Sequence, residues 1–312
     1  MIVVRGVAYD YPTARVLHAV GFEVPEGAVL ALVGPNGAGK TTLMRCMAAL
    51  DAPAEGTISI AGFDTQDRPR EVHAALGFLP DFYGLYDALS VERSLVYAAR
   101  SRGVANGAAL IAAREAAGRV QLDDRMGQLA GQLSRGLRQR LAIAQTLVHR
   151  PRVLLLDEPA AGLDPEARRA LSDLIRRLAG EGMTIVVSSH ILAELEDYST
   201  RMLMLREGRV AGGGVVSAHG PAAEAAIVQV ELAAPRGDLA AVLEGLGLVA
   251  EAVTPTAFSL RLGGGAEAEA QALARLVGAG LAVRSFTPQR RTLEQTYLDQ
   301  ARGPPAAGGT RP

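Results

Sequence analysis

Residues 34–41 read GPNGAGKT, and this stretch constrains the chain more than any other. It fits G-x-x-x-x-G-K-[ST] and sits between an apolar run, AVLALV, and a helical pattern that starts at Thr41 and reaches Leu50. A strand that ends in glycine and proline and turns into a helix is a phosphate cradle. Its glycines let the backbone wrap an anion, and successive N–H groups and the helix start all point at it. Gly34, Pro35, Asn36, Gly37, Ala38 and Gly39 form the cradle. Lys40 is placed to reach the β and γ phosphates, the Thr41 hydroxyl to ligate Mg²⁺, and Thr42 to assist with the phosphates.

Composition strengthens the case for Lys40. Lys and Arg total 32, yet the chain has one lysine, at position 40. Arginine serves wherever else a cation is wanted. A compact ammonium differs from a planar guanidinium in reach and hydration, so the exception marks a site. A net charge of -1 argues against nucleic-acid binding through bulk charge. One cysteine, Cys46, excludes a disulfide framework and a cysteine-based metal centre. No apolar run reaches the roughly 18 residues needed to span a bilayer, and the start of the chain lacks the pattern of a signal peptide. The expectation is a chain soluble by itself, linked to a membrane only through a partner.

VLLLDEP, residues 153–159, is a second apolar strand and delivers two adjacent carboxylates. Asp157 is placed to face Mg²⁺, and Glu158 to face an attacking water as general base or orienter. Alone, a strand-end Asp-Glu pair serves equally well as a turn cap. Downstream of a phosphate cradle, the catalytic reading prevails.

Strands and helices alternate through the first two-thirds of the chain, which predicts a parallel sheet in an α/β fold, with residues of about 82–150 mostly helical. Composition shifts at AGGG, residues 211–214. Beyond it the pattern restarts as strand, helix, hairpin, helix, strand, the order of a split-βαβ domain, with a further helix at TLEQTYLDQAR. The expected organisation is an ATPase domain at 1–214, a small α+β domain at 215–302, and a disordered tail, GPPAAGGTRP, at 303–312.

Residues 133–141, LSRGLRQRL, bring in a family. With the cradle upstream and the acid pair downstream, the chain resembles the ATP-binding cassette (ABC) ATPases. Their signature usually reads LSGGQ before a basic, Gln-containing helix. Ser134 and Gly136 match, whereas Arg135 replaces a glycine and Leu137 the glutamine. AGLD, residues 161–164, resembles the family's D-loop and includes Asp164. His190, after TIVVSS, resembles the switch histidine, and Tyr11 lies where an aromatic stacks on adenine, with Tyr9 as competitor. Asp81, in LGFLPD, stands where the family usually has a metal-coordinating glutamine. Either it keeps that sensing role with altered metal affinity, or it only forms a turn. TLEQTYLDQ resembles a segment of exporter-type ATPases that include drug-resistance subunits.

The resemblance implies an ABC-type nucleotide-binding domain of mixed sheet and helical subdomain, with ATP and Mg²⁺ as cofactors. It implies an ATPase, with Lys40, Glu158 and His190 as catalytic residues and Thr41, Asp157 and Asp81 at the metal. Two copies, or the chain and a paralogue, would pair head to tail, so that Ser134, Gly136 and Asp164 face the partner's nucleotide. The implied setting is the cytoplasmic face of the cell membrane, where the chain powers translocation, with export favoured, through a membrane-spanning permease. The segment DFYGLYDAL, residues 81–89, would help receive a helix of that permease, although Phe82, Tyr83 and Tyr86 could equally pack the helical subdomain. The alternative function is a soluble ABC ATPase acting on a non-transport partner.

Overall fold

The computed structural model describes residues 1–217, 226–263 and 265–289. They fall into two compact units, one within Met1–Ala218 and the other within His219–Thr296.

In the first unit, an antiparallel sheet is formed by β1 (Ile2–Tyr11), β2 (Ala14–Val24), β4 (Glu55–Ile60) and β5 (Phe63–Asp64), in the order β2-β1-β4-β5. The other sheet has six strands: β3 (Val29–Val33), β6 (Leu76–Leu79), β7 (Val153–Leu156), β8 (Thr184–Ser189), β9 (Arg201–Arg206) and β10 (Arg209–Ser217). Its order is β10-β9-β3-β8-β7-β6, parallel throughout except for β10, which returns antiparallel on β9. All five residues of β3 and all four of β7 are buried. A strand covered on both faces needs such a continuous apolar run, and each fully buried Leu or Val adds about 1.5–3 kcal/mol.

Helix α1 (Lys40–Met47) follows β3, and α2 (Pro69–Ala75) precedes β6. Between β6 and β7 come α3 (Val91–Ser101), α4 (Asn106–Arg119) and α5 (Arg135–Leu147), the helical region read from the sequence. Helix α6 (Pro165–Gly180) joins β7 to β8, with Pro165 in its first turn, where the missing N–H costs nothing. One core unites both sheets with α1: Leu17, Ile58, Leu43, Met44, Leu32 and Leu155 are all buried in it. The antiparallel strands β4 and β5 lie in a stretch where the sequence predicts no element.

The second unit runs β11 (Ala226–Leu232), α7 (Leu239–Gly245), β12 (Ala250–Glu251), β13 (Ala257–Leu262), α8 (Gly265–Gly278), β14 (Val283–Gln289). Its sheet order, β12-β13-β11-β14, is antiparallel at every pairing. This is the split-βαβ arrangement. It has its own core around Val228, Val230, Leu243, Phe258, Leu260 and Leu276. The predicted helix at 292–302 and tail at 303–312 lie outside the described residues.

Candidate functional site

The parallel strands end together, and the site is built where they end. From β3 the chain enters the 34–41 loop. A Cβ on Gly34 would lie 2.2 Å from the Leu205 carbonyl oxygen, so only glycine lets the loop pass β9 so closely. Gly39 caps α1 in the left-handed region at φ 98°.

Lys40 begins α1 and is 6% exposed. Its Nζ donates to the Gly34 carbonyl at 2.8 Å and the Pro35 carbonyl at 3.4 Å. It also pairs with Glu158 Oε1 at 3.3 Å. The ammonium is satisfied by the loop itself and by the carboxylate across from it.

β7 carries Asp157 and Glu158 to the same place. Asp157 is 1% exposed. Its Oδ1 accepts a hydrogen bond from Ser188 Oγ on β8, while Oδ2 is buried and has no hydrogen-bond partner among the described residues. Burial holds its carboxyl above the usual range, the Ser188 and Thr41 hydroxyls pull it down, and the charges of Asp81 and Glu158 push it up again.

Glu158 adopts φ 45°, a left-handed conformation that costs a residue with a side chain about 1–3 kcal/mol. Tertiary contacts hold it there. Its N–H donates to Ser188 Oγ at 2.9 Å, and its carbonyl accepts from Ala161 N–H at 3.1 Å. Its Oε2 lies 2.9 Å from His190 Nδ1, which must be the donor because a carboxylate only accepts. The three sequence-predicted catalytic residues, Lys40, Glu158 and His190, thus form one connected group.

An open cleft of about 470 Å³ lies over this group, lined by Asn36 to Thr42 with Asp81, Glu158 and His190, and by Val16 and Ala161. Val16 is not legible in the sequence: a lone valine in a strand carries no chemical signal, and only the packing of β2 brings it here. Tyr11 is outside the lining but adjoins it, its hydroxyl 3.5 Å from Thr42 Oγ1, with Tyr9 in edge contact at 5.0 Å between ring centres. Ser134, Gly136 and Asp164 do not line this cleft. Ser134 and Asp164 cap α5 and α6, each accepting from the backbone N–H three residues on. A second cavity, of about 380 Å³, is walled by mutually paired charges, Arg119 with Glu181, Arg150 with Glu115 and Arg152 with Glu26, and holds none of the predicted residues.

No three His, Cys, Asp or Glu side chains among the described residues are close enough to enclose a metal by themselves. That suits Mg²⁺, which typically takes one or two carboxylates and completes its shell with water and phosphate oxygens. The bare Oδ2 of Asp157 and the neighbouring Thr41 hydroxyl fit such an ion.

A glycine-rich cradle at the turn after β3, a histidine at the end of the neighbouring β8 and an acid pair at the end of β7 beyond it define a nucleotide-binding domain of the ABC type. The chain belongs to the ABC transporter family of ATP-binding proteins. The family model described as ABC transporter matches residues 17–161. The chain is 43% identical over 184 residues to the probable multidrug ABC transporter ATP-binding protein YbhF of Escherichia coli (strain K12), covering 59% of this chain and 32% of that protein. To the Nod factor export ATP-binding protein I of Burkholderia orbicola (strain AU 1054) it is 35% identical over 205 residues, 66% of this chain and 67% of the relative. It is also similar to a solved ATP-binding subunit of an ABC transporter, with a TM-score of 0.61 and 30% identity, covering 70% of this chain and 90% of that one. The chain therefore spans about a third of the length of YbhF.

Proposed function

We propose that this chain binds ATP with Mg²⁺ in the cleft, hydrolyses it to ADP and phosphate, and powers translocation, in the direction of export, through a separate membrane-spanning permease. The observation that carries the reading is the convergence of Lys40, Glu158 and His190 around the 34–41 loop.

Binding begins at Lys40. An incoming triphosphate competes with the Gly34 and Pro35 carbonyls and with Glu158 for the ammonium. Once Lys40 turns to phosphate, Glu158 is released to orient and deprotonate a water, and His190 holds its carboxylate at the required angle. Loop N–H groups stabilise charge on the phosphates. Asp157 and Thr41, with Asp81 nearby, would hold Mg²⁺, which would supply charge neutralisation. Asp81 thus keeps the sensing position with one more negative charge than glutamine would bring. Tyr11 stacks on adenine, with Val16 beside it.

Ser134, Gly136 and Asp164 stand apart from the cleft, which suits residues that serve a second copy or a paralogue docked head to tail. No helix among the described residues is long and apolar enough to cross a membrane. In this reading the chain works on the cytoplasmic face and is linked to the membrane by the permease. The names of the relatives, multidrug transport and Nod factor export, support export.

The test is ATP hydrolysis by wild type and Glu158→Gln, with oligomeric state recorded alongside. We expect wild type to turn over, and the variant to lose at least about 100-fold in kcat and to accumulate as an ATP-bound dimer. Equal rates in the two proteins would remove Glu158 from the mechanism.

A further inference from the structure

Arg135 lies outside the cleft, yet it holds the far end of the turn that carries Glu158. Its Nη2 donates to the Ala161 carbonyl at 3.0 Å. Ala161 in turn donates its N–H to the Glu158 carbonyl, and Leu163 N–H closes the next turn onto Ala160, each at 3.1 Å. Two hydrogen bonds in series, through Ala161, therefore link the guanidinium to the strained Glu158 backbone, and Ala161 lines the cleft.

The seat for this side chain is shaped by Gly162. A Cβ there would lie 2.2 Å from Arg135 Nη2, 2.5 Å from Cζ and 2.6 Å from Nη1, so any other residue would evict the guanidinium. The platform on the other side is equally defined. Ser134 caps α5, and a Cβ on Gly136 would lie 2.8 Å from Ala167 Cβ of α6, so the start of α5 rests directly on the helix that follows the turn. Among the described residues no carboxylate lies within ion-pair distance of Arg135; the Ala161 carbonyl is its hydrogen-bond acceptor.

We propose that Arg135 is a positioning residue for hydrolysis: it fixes the 158–162 turn in the same chain and so sets the placement of Glu158, without contacting the nucleotide in its own cleft. The inference rests on the reading of Glu158 as the general base. It also gives the arginine at a signature position a mechanical role: whatever docks against Ser134 and Gly136 bears on the same turn.

The test uses the full chain with Arg135→Ala, Arg135→Lys, Gly162→Ala and the Arg135→Ala/Gly162→Ala double variant. Readouts are kcat and KM for ATP, Tm, and amide hydrogen exchange over residues 159–163. For Arg135→Ala we expect kcat to fall about three- to tenfold, the range that one net hydrogen bond supports, with KM within about twofold and exchange over 159–163 faster. Arg135→Lys should recover part of the loss. Gly162→Ala should fall in the same direction, and the double variant should be no worse than the poorer single, because both break one contact. Wild-type kcat and exchange in Arg135→Ala, with Glu158→Gln still inactive, would overturn the inference and leave the function standing. A KM raised tenfold with kcat kept would also overturn it, making Arg135 a phosphate ligand. Equal rates for wild type and Glu158→Gln would overturn both.

Discussion

Asp157 is held at the end of β7 with one oxygen on Ser188 and the other bare and buried. Its folded pKa is raised, first by burial, and the Asp81 and Glu158 charges add to this. An acid whose folded pKa lies above its unfolded value adds stability below the unfolded pKa and loses that contribution as pH rises through the folded one. At neutral pH the ionised carboxylate therefore weakens the empty fold. Asp157→Asn should raise Tm of the nucleotide-free protein by about 2–4 °C at pH 7, a gain on the order of 1 kcal/mol for a unit of this size. The advantage over wild type should shrink as pH falls towards the carboxylate range. Calorimetry in a chelator checks both statements, and added Mg²⁺ should raise Tm of wild type but not of the variant. A lower Tm for Asp157→Asn would mean that the bond to Ser188 outweighs desolvation. The lone lysine belongs to the same scale: composition by itself singles out Lys40, and the structure puts it on Gly34, Pro35 and Glu158 at once.

Among the elements, α5 ties the signature stretch to the segment that follows Asp81. Ser134 caps it, Arg138 pairs with Asp87 at 2.7 Å, and the buried Gln139 accepts from the Tyr83 hydroxyl. Burial pushes that phenol above its ordinary range, with Arg135 and Arg138 opposing. Gly136 permits the close approach of α5 to α6, and a methyl there would press on Ala167 Cβ at 2.8 Å. Gly136→Ala should cost about 1–3 kcal/mol through overpacking, seen as a lower Tm. Its ATP affinity as a monomer should be unchanged, because the position does not line its own cleft. Weaker monomer affinity would show that α5 also shapes the cleft of its own chain.

On the scale of the whole molecule, the surface separates two readings of the aromatic segment after Asp81. Phe82 is 92% exposed and Tyr86 63%, the latter in edge contact with exposed Tyr97 of α3, whereas Tyr83 is held by Gln139. Exposed aromatics grouped at one place suit a protein partner. We expect Tyr86→Ala to leave Tm within about 1–2 °C and ATP binding intact, as for other exposed positions, while reducing co-purification with the permease. A lost fold would instead place Tyr86 in the packing. Cys46 offers a monitor for such variants: burial pushes its thiol up to about 12, so it should label only when the first unit opens.

Local chemistry was legible in the sequence because it is local. The cradle, the acid pair and the buried strands are contiguous patterns in which spacing alone dictates conformation, and the alternation of β3, β7, β8 and β9 with helices predicted their parallel sheet. Whatever depends on residues far apart in the chain was decided by tertiary structure. Strand β4 left no sequence signal, since its register comes from pairing with β1, more than 40 residues away. Val16 entered the cleft, and Arg135 found the Ala161 carbonyl, only once β2 and α5 had been packed against the core. Glu158 could be picked from its neighbours, but its left-handed turn, its bond to His190 and its hold on Lys40 come from three strand ends brought together by burial. Contiguous patterns determine which groups are present, and the packing of distant segments determines which of them meet.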